Sequence, residues 1–228
     1  MATPTTDLEL VNIALSKIGH TVQVVNLSTD DTLEARTARI FLDIDRDRAL
    51  GVYRWKWADQ QKVLTEVTTE AHDRWAHLYS RPTDYVVGRQ IYPNARLVNP
   101  EIEIPFDGDV IKKDGTGKLI GCDLAPVAAQ ADGTGGEPLM FYTARISTVA
   151  IYPQMFVDFF TWLLASSLAM PLVRERKVRE DALKETRLSL VEAIRVDLMS
   201  SRKDVDPATP SAASRGGYPL AQRWGKPQ

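Results

Sequence analysis

Residues 155–172 read MFVDFFTWLLASSLAMPL. Phe156, Phe159, Phe160, Leu163, Leu164, Ser167 and Leu168 cover more than one face of a helix, so a helix here has to be enclosed by other elements. Asp158 interrupts the run, and Pro171 with a charge cluster closes it. That pattern reads as a buried core helix and not as a membrane span. The spacing predicts a helix from 152 or 153 to 170. Pro153 is acceptable at its start, and Pro171 is expected to force a break or kink.

Working outward, residues 173–200 predict a fourth helix with a stripe of Val178, Ala182, Leu183, Thr186, Leu190, Ile194 and Leu198. Glu180 and Lys184 are spaced as an i,i+4 ion pair on its wet side. Near the N-terminus, residues 7–18 predict a first helix, with Thr6 as N-cap and Asp7 and Glu9 in the first turn. Leu8, Val11, Leu15 and Ile18 make its apolar stripe, and Gly19 suits the left-handed position after it. A second helix is expected from Ser28 or Thr29 to about Val52, with Asp30 and Asp31 in its first turn. Leu33, Thr37, Ile40, Ile44 and Ala49 are assigned to its inner face. Arg36, Arg39, Arg46 and Arg48 mix with Asp43, Asp45 and Asp47 elsewhere on it.

Between 57 and 142 the pattern changes to short alternating or β-branched runs, at 61–67, 85–92, 95–98, 101–105, 109–112, 118–120 and 138–142. Turn signals separate them, among them Pro82-Thr83-Asp84, Asp107-Gly108 and Asp114-Gly115. Residues 123–137 read as a surface loop. The fold class is α+β: a helical bundle of about four helices from both ends of the chain, with an inserted antiparallel β-lobe and an extended C-terminal arm. The units are 1–56 with 150–203, then 57–149, then 204–228. The last 25 residues, DVDPATPSAASRGGYPLAQRWGKPQ, hold four prolines and three glycines. They bury too little apolar surface to order alone, so order there requires a neighbour to lie on.

The 228 residues are 44% apolar and 25% charged, with a net charge of −2. That balance favours neither nucleic acid nor an anionic membrane as a partner. One cysteine, Cys122, allows no intrachain disulfide and fits a reducing compartment. Met1 to Thr6 lack a basic-apolar signal pattern. Asn26-Leu27-Ser28 matches a glycosylation acceptor by chance.

Motifs for chemistry are weak. Asp43-x-Asp45-x-Asp47 opens like a calcium loop, but Arg48 and Arg54 stand where the glycine and the bidentate glutamate belong. Asp114-Gly-Thr-Gly-Lys118 lacks a glycine at 112 and a hydroxyl at 119, so it reads as a hairpin turn, not a phosphate loop. Asp132-Gly133-Thr134-Gly135-Gly136 reads as a flexible loop. His72 and His77 are not spaced as paired helical ligands, and His20 is remote from both. Tyr53, Trp55, Trp57, Trp75, Tyr79 and Tyr85 form an aromatic concentration. It is read as core at the junction of helices and β-lobe in preference to a nucleic-acid platform. No catalytic residue, cofactor or metal is expected.

Four features follow one another in a fixed order. The first is Ala14-Leu15-Ser16-Lys17-Ile18-Gly19. The second is a long arginine- and alanine-bearing helix ending in Ala49-Leu50, then Trp55-Lys56-Trp57-Ala58. The third is Trp75 with Tyr79, Arg81-Pro82, Asp84 and Tyr85. The fourth is Phe141-Tyr142 leading to Phe156, Phe159, Leu163, Leu164, Ala165, Leu168 and Ala169. Over roughly 7–200 the chain resembles the head-to-tail adaptor family of tailed bacteriophages, which includes the tail tubular protein A type. Arg81 stands before Pro82 where a leucine is commoner in the family.

The resemblance implies a structural virion protein of the capsid–tail junction, made in the host bacterial cytoplasm. Twelve copies would form a ring under the portal protein and pass genomic DNA without reading its sequence. The helical part would meet the portal and neighbouring subunits, and the β-lobe a downstream tail protein of nozzle or stopper type. No membrane is involved. The C-terminal arm would reach along the portal, over on the order of 75 Å at roughly 3.1 Å per residue. Tyr218, Leu220 and Trp224 would anchor it, with Arg215, Arg223 and Lys226 on acidic portal surface. The alternative is a tail-associated peptidoglycan hydrolase. It needs two carboxylates roughly 5–9.5 Å apart, drawn from Glu101, Glu103, Asp107 and Asp109. A nucleic-acid module on the second-helix arginines is opposed by the interleaved aspartates.

Overall fold

The computed structural model describes residues 3–93, 104–113, 115–126 and 138–202. The class is α+β, with four α-helices and two small antiparallel sheets among the described residues. The helices are α1 (Asp7–Lys17), α2 (Leu33–Gly51), α3 (Gln154–Leu172) and α4 (Arg176–Arg202). α1, α2 and α4 all pack on α3. Phe156, Phe160, Leu164 and Leu168 of α3 are fully enclosed together with Leu10, Leu15, Leu50 and Trp55.

The first helix matches its sequence signals. Thr6 Oγ1 accepts from the Glu9 N–H, and the Glu9 carboxylate accepts from the Thr6 N–H at 3.1 Å, a reciprocal capping box. Gly19 takes φ 72° just past the end. The buried stripe also includes Leu10 and Ala14, while Leu8 is only partly covered. Lys17 crosses to α3, donating to Asp158 Oδ1 (2.6 Å) and Thr161 Oγ1 (2.9 Å), and lies over the Trp162 ring.

The second helix differs in both start and face. It begins at Leu33, not at 28 or 29. Asn26 Oδ1 accepts from the Ser28 and Thr29 N–H groups, and Asp30 Oδ1 from the Thr32 N–H, which holds 26–32 in turns until Thr32 caps the helix. Its buried face is Ala35, Ala38, Leu42, Ala49 and Leu50, with Thr37, Asp45 and Arg46. Leu33, Ile40 and Ile44, assigned inward, are each at least half exposed. The alanines let α2 approach α3 closely. Arg46 is enclosed with its two terminal nitrogens on Asp7 (2.5 Å) and Asp43 (2.7 Å), while its Nε meets no partner among the described residues.

The expected break at Pro171 comes two residues later. α3 runs to Leu172, and Arg174 then takes φ 61° while its N–H bonds the Ala169 carbonyl. A proline so close to a helix end removes one bond of the last turn without unravelling the rest. On α4, Glu180 pairs with Arg176 and Lys184 with Asp181, in place of the expected Glu180–Lys184 pair. Ala182, Thr186 and Ala193 are its buried positions, and Leu198 is exposed.

The strands are β1 (Asp59–Val63), β2 (His77–Ser80), β3 (Tyr85–Tyr92), β4 (Phe106–Ile111), β5 (Lys118–Cys122) and β6 (Leu139–Ala144). One sheet has the order β1-β6-β3 and the other β2-β5-β4. Leu64, Tyr79, Ile91, Ile120, Met140 and Tyr142 form a core to which both sheets contribute. Trp75, Leu78, Val110 and Leu119 cover the other face of the second sheet. Arg89 ties the first sheet to the end of α2 through Thr143 Oγ1 (3.0 Å) and the Tyr53 carbonyl (2.8 Å).

β2 is a strand that the sequence pattern did not mark. Asp107-Gly108, expected as a turn, lies inside β4 at an irregularity of register. A Cβ on Gly108 would sit 1.9 Å from the Tyr85 hydroxyl, so the glycine admits that ring. Residues 112–117 do join β4 to β5, with Gly115 at φ 70°. The runs at 95–98 and 101–103, Asp114, and residues 127–137 lie outside the described residues.

Tyr142 reports on the shared sheet core. Its hydroxyl donates to Asp84 Oδ1 at 3.0 Å, and burial, reinforced by that carboxylate, pushes its pKa up to about 12. An unfolded tyrosine titrates near 10, so the fold holds this proton more tightly than the unfolded chain does. Stability from this residue is complete below about pH 10 and is lost as pH rises toward 12. Tyr142→Phe is expected to flatten the alkaline loss in that window. Urea denaturation at stepped pH, compared with the parent chain, measures it, and parallel slopes would contradict it.

Candidate functional site

The second and fourth sequence features meet in one aromatic nest. Trp55 is enclosed and donates from Nε1 to the Ala49 carbonyl at 2.8 Å, which turns the chain sharply after α2. Its ring meets Phe156 edge-on at 5.1 Å, and Trp57 meets Phe156 at 4.8 Å and Tyr152 at 5.3 Å. The nest opens as a groove of about 240 Å³ beside the last turns of α4, lined by Lys56, Trp57, Met155, Phe156, Val196 and Asp197. Burial raises the Asp197 carboxyl pKa, and Lys56 opposes the shift.

The third feature is a structural clamp between the sheets. Arg81 lies over the Tyr85 ring at 4.1 Å and donates to Asp109 at 2.9 Å; Lys118 donates to the same carboxylate at 2.8 Å. Those bonds, with Lys118 first, hold Asp109 below the usual carboxylate range. A carboxyl kept ionised in this way is the reverse of a general acid, whose pKa has to be raised. Asp107 Oδ1 accepts from the Asp109 N–H. Glu101 and Glu103 lie outside the described residues. Arg81, Lys118 and Arg145 line an open hollow of about 340 Å³, each already facing an aspartate: Asp109 for the first two and Asp47 for Arg145.

The structure separates the other groups that the sequence singled out. Asp43 turns to Arg46. Asp45 is held against Ser167 of α3 and Arg48, and Asp47 turns to Arg145. Burial raises the Asp45 carboxyl above its ordinary range. His20 meets Glu34 and His77 meets Glu66. Cys122 is enclosed, and burial pushes its thiol up, away from the reactive thiolate. Among the described residues, no group of three or more His, Cys, Asp and Glu is placed to hold a metal ion. α3 is long and apolar enough to cross a membrane, but most of its side chains are buried against the other helices. The aromatic concentration divides among three cores: Tyr53, Trp55 and Trp57 in the helices, Tyr79 and Tyr85 between the sheets, and Trp75 outside the second sheet. One junction cluster was expected, but the strand alternation sends neighbours such as Leu78 and Tyr79 to opposite faces.

No protein-family model matches this chain, and no curated protein matches it.

The sequence reading missed two apolar helix faces that nothing in the described chain covers. On α2 the face is Leu33, Ile40 and Ile44. On α4 it is Leu188, Val191 and Met199, also half or more exposed, with Arg195 at its centre. Val191, Ile194, Arg195, Leu198 and Met199 border a hollow of about 370 Å³ there. The signal was present in α2 as two apolar stripes, one of alanines and one of branched residues; the bulkier was taken as the inner one. Arg215, Tyr218, Leu220, Arg223, Trp224 and Lys226, proposed as arm contacts, lie outside the described residues.

Proposed function

We propose that this chain is a structural virion protein, a head-to-tail adaptor that forms a ring beneath the portal and joins capsid to tail. The observation that carries the reading is the pair of apolar faces on α2 and α4 that no described residue covers. Contiguous exposed apolar surface of this kind marks association sites, and a subunit built for a ring needs one on each side. The four sequence features supply the family. In this reading the helices of both chain ends make the ring-forming and portal-facing part, 1–56 with 150–203. Residues 57–149 form the inserted lobe that meets the next tail protein, and 204–228 form the arm. The work is mechanical: twelve weak contacts act together, the packaged genome is sealed, and DNA passes without sequence readout. Asp109, tied to two cations, gives the hydrolase alternative no support.

Cryo-electron microscopy of the full chain mixed with its portal protein tests the proposal. A ring stacked on the portal is the expected result; a monomer that ignores the portal overturns it. Deleting 204–228 is expected to weaken portal binding at least about tenfold, equal to ~1.4 kcal/mol for each arm. Unchanged binding would remove the arm from the mechanism.

A further inference from the structure

We infer that the apolar face of α2 in one copy of this chain packs, in parallel, against the apolar face of α4 in the next. The two faces match in length and spacing. Leu33, Ile40 and Ile44 repeat at the same intervals as Leu188, Arg195 and Met199, each set spanning about 16 Å of helix at 1.5 Å per residue. Setting Leu33 beside Leu188 and Ile44 beside Met199 puts Ile40 over Arg195, at the hollow that Val191, Ile194 and Leu198 border.

Charge selects the direction. In the parallel register Arg36 falls next to Glu192, and Asp43 lies one turn beyond Arg195. In the antiparallel register Arg36 would fall next to Arg195, like beside like. Arg36, Glu192 and Arg195 are available for exchange, because their present partners are exposed and distant, whereas Asp43 stays on the enclosed Arg46. Arg36 meets Asp31 at 3.6 Å, and Arg195 meets Glu192 at 3.6 Å. Such pairs contribute little on a surface. The two faces belong to different helices, so the contact is head-to-tail: each copy offers one face and uses the other, and the series closes or runs on. The pairing rests on the ring reading only for closure. Two complementary faces on one chain call for a second copy whatever its host structure.

The test uses full-length chains with single cysteines and a short bismaleimide, with the enclosed Cys122 left in place. A mixture of Ile44→Cys and Met199→Cys chains is expected to give covalent dimers. The chain carrying both gives a ladder, and each single variant alone gives no covalent dimer. Dimers of Ile44→Cys with itself would show a two-fold contact and overturn the pairing. So would Leu188→Cys replacing Met199→Cys as the partner, which reverses the direction, or no ladder up to the solubility limit. Arg36→Glu is expected to suppress the ladder, and Glu192→Arg in the same chain to restore it. A portal-bound ring that does not cross-link here would keep the adaptor and discard this pairing. A ladder without portal binding would do the opposite.

Discussion

Trp55→Ala is expected to lower stability by about 3–5 kcal/mol, the largest effect of any single truncation proposed here. The side chain is 1% exposed and sits where three elements meet. It stacks edge-on against Tyr53 at 5.0 Å and Phe156 at 5.1 Å, and its indole N–H satisfies the Ala49 carbonyl at the end of α2. Alanine leaves a void that cannot collapse, because α2 and α3 on either side are braced by Lys17, Arg46 and Arg89. It also leaves the Ala49 carbonyl without its partner. The loss corresponds to a fall in Tm of roughly 6–20 °C for a chain of this size. Trp55→Phe, which keeps most of the ring, should lose about 1–2 kcal/mol, chiefly the hydrogen bond. Helical circular dichroism against urea measures all three proteins without relying on tryptophan emission. A Trp55→Ala loss below that of Trp55→Phe would mean that the nest does not hold the helices together.

Gly121→Val is the second. Gly121 lies in the middle strand of its sheet, paired with Leu78 on one side and Asp107 on the other. A Cβ there would meet the Trp75 ring at 2.4 Å. The backbone is held from both sides, so the indole has to leave. Overpacking of this kind costs about 1–3 kcal/mol, and the upper end applies because Trp75 also covers Leu78, Val110 and Leu119. The cause can be isolated. In a Trp75→Ala background the same valine should cost under about 1 kcal/mol, since truncating the ring vacates the space. A double-mutant cycle reads the difference as coupling. Additive losses would show that the two residues do not touch.

Those two sites show what a sequence discloses and what it withholds. The capping box, Gly19, β3 and the enclosed α3 were legible because each rests on local chemistry: a hydroxyl facing an N–H, a glycine at positive φ, an alternating run, an apolar surface all round. Gly108 and Gly121 were not. A glycine wanted for its neighbour's ring looks like a glycine wanted for a turn, and only the fold brings Tyr85 and Trp75 to them. The start of α2 was misplaced because Asn26 and Asp30 bond their own backbone in competition with the helix. Its inner face was misread because alanine, small enough for helix to approach helix, carries a weaker apolar signal than isoleucine. That inversion left Ile40 and Ile44 outside, and it hid the candidate interface from a reading of periodicity alone.

The ion pair from Lys17 to Asp158 joins residues more than a hundred positions apart, and the rest of the helical core is equally divided between the two ends of the chain. Translation proceeds at roughly 5–20 residues per second. α1 and α2 therefore leave the ribosome about 5–20 s before α3 exists to receive them. During that interval Leu10, Leu15, Ala35 and Leu50 have no surface to bury against. The nascent chain becomes a client for any holding factor that recognises bare helices, and completion of the helical core falls after the β-strands have emerged. A ribosome stalled between Ala144 and Gln154 would display this stage, with both N-terminal helices open to protease.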